Sequence, residues 1–121
     1  MLNEQQIYDQ TLFHLRQQGT ACASANAVCR YRAHNMACAV GCHLTNAEYS
    51  PDMERYSVEQ LISQGKFPER LLPYRALLKE LQTAHDIDLA CDMEAWERQM
   101  KVIAKYFGLT YTENNNNGAP L

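Results

Sequence analysis

No stretch of this sequence approaches the roughly 20 consecutive apolar residues that carry a helix across a bilayer, so no membrane partner is expected. The opening Met1-Leu2-Asn3-Glu4-Gln5-Gln6 has no basic stretch followed by an apolar run, which is the mark of a cleavable signal. A cytoplasmic protein is the expectation. Neither sign of charge dominates either: 11 Lys and Arg against 14 Asp and Glu leave a formal net charge of −3. That gives no positive field to hold a phosphate backbone, so sequence-independent nucleic-acid binding is disfavoured, and too little negative charge to imitate DNA. The phosphate-binding loop, the dinucleotide fingerprint, the His-Glu-x-x-His helix and the calcium loop are all missing. The cysteines number 5, an odd count in a chain long enough to fold without staples, which argues for reduced thiols and against a disulfide scaffold.

What is present is an ordinary globular composition, 46% hydrophobic and 21% charged over 121 residues, suited to one self-sufficient domain. Asn3 with Gln6 has the spacing of a capping box, and Ile7, Tyr8, Leu12 and Leu15 recur at helical intervals until Gly19, which predicts a helix over 4–18. Thr20 to Asn26 is small and polar, suited to a loop that carries Cys22. Ser57 with Gln60 predicts a short helix over 58–63, and Thr45 with Glu48 predicts a single turn before Ser50-Pro51. Pro68 and Pro73 stand near the start of a third helix, whose stripe is Leu77, Leu78 and Leu81. His85-Asp86-Ile87-Asp88 reads as a connector. Asp92 then caps a helix with Trp96, Met100, Ile103 and Phe107 on one face, stopped by Gly108.

Between Val28 and Leu44 the pattern changes to short alternation, which predicts a β-hairpin turning at His34-Asn35. That register sets Ala33 against Met36, Tyr31 against Cys38 and Cys29 against Val40. Cys29, Tyr31, Met36, Cys38, Val40 and Cys42 then share one apolar face, and Arg30, Arg32, Ala37 and Ala39 the other. The fold class expected is α+β: a mostly helical single domain over 1–109, with about four helices and one hairpin near residues 28–44. A flexible Asn-rich tail over 110–121 follows.

Three constellations could carry chemistry. Cys29, Cys38, Cys42 and His43, with His34 nearby, are the residue types that zinc takes. On a regular strand, however, Cys38 and Cys42 stand about 13 Å apart, and two thiolates on one zinc can be no more than about 4.6 Å apart. Only a bend at Gly41 or a helical conformation would bring them together, so buried structural thiols are preferred and no cofactor is expected. A cysteine enzyme would need Cys38 or another thiol beside His43, or beside His85 oriented by Asp86, and no local signature selects such a pair. Lastly, Glu48, Asp52 and Glu54 follow the hairpin whose second face carries Arg30 and Arg32. These are either a solvated ion-pair network, worth about 0–1 kcal/mol per pair, or a binding patch with Tyr49 and Tyr56, since Arg and Tyr are enriched where interfaces are strongest.

The order Cys29-Arg30-Tyr31-Arg32, Cys38-Ala39-Val40-Gly41-Cys42, Glu48-Tyr49 and Asp52-Met53-Glu54 resembles small uncharacterised proteins of phages and prophage-bearing bacteria. The layout agrees over about residues 5–108, and the specific part is the hairpin and the acidic segment. The resemblance implies a phage-type accessory protein in a bacterial cytoplasm, acting by stoichiometric binding to a host protein. Inhibition of bacterial defence, such as a CRISPR effector, is included in that expectation. A cysteine-dependent enzyme and a zinc-stabilised adaptor are the alternatives, and a homodimer is compatible with the first reading.

Overall fold

The computed structural model describes residues 3–23, 29–33 and 35–113. Helix α1, Glu4–Gln18, begins where Asn3 Oδ1 accepts the Gln6 N–H and Gln6 Oε1 accepts the Asn3 N–H, each at 2.9 Å, a complete capping box. It ends at Gly19, which takes the left-handed conformation that a Cβ would oppose and donates its N–H to the Leu15 carbonyl. Helix α2, Val58–Ser63, opens with the same reciprocal pair from Ser57 and Gln60. A 3₁₀ stretch, Glu69–Tyr74, leads into α3, Arg75–Thr83, and α3 runs on as a π-helical turn, Ala84–Leu89. Helix α4, Met93–Phe107, is capped by Asp92 and stopped by a left-handed Gly108. With one small hairpin, these four helices make the mostly helical α+β domain expected.

The core lies between α1, α3, α4 and the π turn, where Ile7, Leu15, Leu77, Leu81, Trp96 and Met100 have no exposed surface. Two polar contacts pin α1 to α4. The Tyr8 hydroxyl donates to the Met100 carbonyl at 2.7 Å, and Arg16 meets Glu97 through two hydrogen bonds of 2.7 and 2.8 Å. Glu97 also accepts the Tyr111 hydroxyl at 2.8 Å, while Thr110 exchanges hydrogen bonds with the Gln5 side chain. Chain that the sequence assigned to a flexible tail is thus docked as far as Thr112, whose carbonyl accepts from Arg16. The polar run 114–121 lies outside the described residues.

The hairpin has the expected register and a much shorter span. Strands β1, Arg32–Ala33, and β2, Met36–Ala37, pair antiparallel with Ala33 opposite Met36 and Arg32 opposite Ala37. The Cys38 N–H still bonds the Tyr31 carbonyl at 3.0 Å, and there the ladder stops. Upstream, Cys29 bridges Ala23 instead of Val40, and the Arg30 N–H donates to the Cys22 carbonyl. Downstream, the Cys42 N–H reaches the Cys38 carbonyl and Gly41–His43 forms a 3₁₀ turn. Gly41 permits this: a Cβ there would lie 2.0 Å from the Tyr31 carbonyl oxygen, far inside contact distance. Two burial expectations change as a result. Ala39, placed with Arg30 and Arg32 on the face opposite the apolar one, is wholly buried like Cys38 and Val40, and Cys22, assigned to a polar loop, is wholly buried too. His34 and Val28 lie outside the described residues.

The connector His85-Asp86-Ile87-Asp88 is the π turn, continuous with α3 and packed mainly on α4. Thr45 and Glu48 exchange capping-box hydrogen bonds and close the single turn expected before Ser50-Pro51. Among the described residues no helix is long and apolar enough to cross a membrane.

Candidate functional site

An open groove of about 480 Å³ runs between the start of the hairpin arm, the segment Glu54–Gln60 and the outer side of α3 with its π turn. The groove is organised by Glu54. Its carboxylate accepts the Tyr31 N–H at 2.9 Å, the Arg32 N–H at 3.2 Å and the Tyr49 hydroxyl at 2.7 Å, and it lies 3.6 Å from Arg30 Nε. Charge-assisted bonds of this kind are about twice as strong as neutral ones. Two residues on, the Tyr56 carbonyl accepts the hydroxyl of Tyr31, so the chain is fastened on both sides of Arg55. Between these anchors Arg55 is held at φ 74°, the only non-glycine with positive φ among the described residues. For a residue with a Cβ that conformation costs about 1–2 kcal/mol, and it persists where the surroundings impose it.

Cys29, His85 and Asp86 meet at the inner end of the groove, with one potential ligand atom from each lying within 4.8 Å of the others. The π turn makes this possible by turning His85 wholly into the core while leaving the Asp86 side chain 39% exposed. Both nitrogens of His85 are committed. Nε2 accepts the Cys22 backbone N–H at 2.8 Å, so the ring proton sits on Nδ1 and is donated to Asp86 Oδ1 at 2.8 Å. Asp86 Oδ1 also accepts the Gln82 side-chain amide at 2.8 Å.

That tautomer decides what the cluster can do. A metal-bound histidine ligates through one nitrogen and donates a proton from the other. His85 has no free lone pair for a metal on either nitrogen, so the three residues do not fit zinc. A general base would need the same lone pair. Burial and the neighbouring Asp86 carboxylate push the Cys29 thiol up, away from the thiolate that a nucleophile requires.

The remaining candidate residues fall elsewhere. Cys38 and Cys42 are one helical turn apart, as the zinc reading needed, but neither joins Cys29 or His43 in a group of three ligands among the described residues. Burial raises the Cys38 thiol well above its ordinary value and the Cys42 thiol to about 12. The buried His43 ring bonds the Thr11 hydroxyl at 2.7 Å, and desolvation, helped by Arg70 and His14, lowers its pKa to about 4. Of the proposed binding patch, Arg30, Glu54 and Tyr56 line the groove, and Arg32, Glu48, Tyr49 and Asp52 do not. Arg32 stacks over the Tyr49 ring at 5.1 Å and bonds Asn46 and the Leu44 carbonyl. Glu48 is held by a two-pronged contact from Arg70, which lowers its pKa to about 2. Asp52 is exposed, its N–H taken by Ser50.

Sequence reasoning missed Arg55, Lys79 and Gln82 as groove residues, since a left-handed arginine carries no sequence signal. The adjacent pair His85-Asp86 was visible, and its alignment with Cys29 was not. Comparison with protein-family models, curated proteins and solved structures finds no match.

Proposed function

We propose that this chain acts by stoichiometric binding to a host protein, through the groove bounded by Arg30, Arg55 and Tyr56. The observation that carries this reading is the clamp on Arg55: Glu54 and Tyr56 fasten the chain on either side of a strained, exposed cation at the mouth of an open groove. Strain of this sort is concentrated at functional positions, and arginine and tyrosine supply most interface hot spots. The chemistry next to it supports binding over turnover, because the Cys29 thiol lies beside a His85 ring with no free lone pair. The phage-type resemblance makes bacterial defence proteins, CRISPR effectors among them, the first partners to try.

The test is affinity capture from a bacterial lysate at physiological salt, with the tagged full chain and a Tyr56→Ala, Arg30→Glu double variant. A partner retained in fixed molar ratio by the parent and lost by the variant is the expected result. Capture of no partner by the parent overturns the reading.

A further inference from the structure

We infer that the groove takes a carboxylate side chain, an aspartate or glutamate presented by a peptide segment of the partner. This deepens the binding reading and rests on it.

The charges lining the groove are Arg30, Arg55 and Lys79 against Glu54, Glu59 and Asp86, formally balanced. Their pairing is not balanced. Glu54 is enclosed by two backbone N–H groups and the Tyr49 hydroxyl. Glu59 pairs with Lys79 at 3.1 Å, and Asp86 with His85 and Gln82 at 2.8 Å each. Arg55 has no hydrogen bond or ion pair among the described residues, and it is exposed. Arg30 is only partly satisfied. Its Nε is 3.6 Å from Glu54, buried and without a hydrogen-bond partner, while 37% of the side chain remains exposed. The charge left for a ligand is therefore the guanidinium of Arg55, with Arg30 beside it, in a chain whose net charge is −3.

A guanidinium matches a carboxylate with two parallel N–H···O bonds. Phosphate would match it equally, but three carboxylates in the same walls penalise a dianion more than a monoanion. The same argument rejects a nucleic-acid strand, whose charges repeat along its length. The half-exposed Tyr56 ring supplies apolar surface that the methylenes and backbone of a peptide would cover. The left-handed backbone at Arg55 sets the direction in which its side chain leaves the chain beside the groove.

The experiment titrates the full-length, ¹⁵N-labelled chain with blocked pentapeptides of alanine carrying a central glutamate, glutamine or phosphoserine, following the Nε–H signals of Arg30 and Arg55. The glutamate peptide should shift both signals saturably at millimolar concentration. The glutamine peptide should bind about tenfold more weakly, and the phosphoserine peptide no better than glutamate. Arg55→Gly should keep or raise the melting temperature, because glycine accepts φ 74° freely, while the Arg30 shift on adding the glutamate peptide disappears. Equal shifts from glutamate and glutamine, tighter binding of phosphoserine, or an unaltered response in Arg55→Gly would each overturn the inference. Since the titration needs no partner, its failure is separate from the failure of the affinity capture.

Discussion

The backbone N–H of Cys22 donates a 2.8 Å hydrogen bond to Nε2 of His85, joining the chain just after α1 to the π turn that follows α3. Both residues are wholly buried. Replacing His85 with leucine leaves that N–H without an acceptor, which costs about 1–3 kcal/mol. A melting temperature lowered by several degrees is expected for His85→Leu, and little change for Asp86→Asn, which keeps an oxygen beside Nδ1. An unchanged melting temperature for His85→Leu would show that the histidine has no structural part.

Gly41 owes its place to proximity and not to a positive φ. An alanine methyl would sit 2.0 Å from the Tyr31 carbonyl oxygen, which already accepts the Cys38 N–H. Gly41→Ala should therefore destabilise by about 1–3 kcal/mol or more, the range for forcing atoms into a packed interior. Gly19→Ala meets nothing within 4 Å and suffers only backbone strain, about 1–2 kcal/mol for a residue with a Cβ. Denaturant midpoints of the two variants give the comparison, and an equal or smaller loss at Gly41 would contradict the close approach.

These two sites show what was legible in the sequence. Helix limits were, because Asn3, Gly19, Ser57, Asp92 and Gly108 act on adjacent backbone groups and need no tertiary partner. The hairpin register was as well, through the alternation from Tyr31 to Cys38. Its length was not: whether residues 39–43 continue a strand depends on the contact of Gly41 with Tyr31, and alternation alone cannot report that. Similarly, Arg30 and Tyr56 were visible as recognition residue types, while Arg55 draws its position from Glu54 hydrogen bonds to residues more than 20 positions away.

Acid should weaken the fold in two successive windows. His43 has a folded-state pKa of about 4 against an ordinary 6.5, so the unfolded chain takes up its proton first and stability falls as pH drops from about 6.5 to about 4. At 1.36 kcal/mol per pH unit the loss is up to roughly 3 kcal/mol. Glu48, lowered to about 2 by its contact with Arg70, stabilises the fold above its ordinary value of 4.5, and that contribution is lost as pH falls from about 4.5 to about 2. Urea midpoints measured across pH 7 to 3 should decline throughout for the parent. In His43→Gln, which keeps a donor for Thr11, the decline between about 6.5 and 4 should flatten, and an unaltered slope there would assign the acid sensitivity to other groups.

Thiol mapping separates the binding reading from the cysteine enzyme most directly. Burial raises the Cys22 thiol to about 11 and the Cys42 thiol to about 12, holds Cys38 well above its ordinary value, and raises Cys29 with the help of the Asp86 carboxylate. Cys91 is the one described cysteine that is exposed. Because the thiolate is the reacting species, an alkylating reagent at mildly alkaline pH should label Cys91 first, the half-buried Cys29 and Cys42 more slowly, and the buried Cys22 and Cys38 only when the chain opens. Peptide mapping by mass spectrometry over time gives the order. The order also bears on His85: were its Nε2 free to take a proton, Cys29 would ionise readily and react ahead of Cys91. Labelling of Cys29 before Cys91 would thus mean that the Cys22 amide does not hold the ring in solution, and the nucleophile reading would return with Cys29 and His85 as its pair.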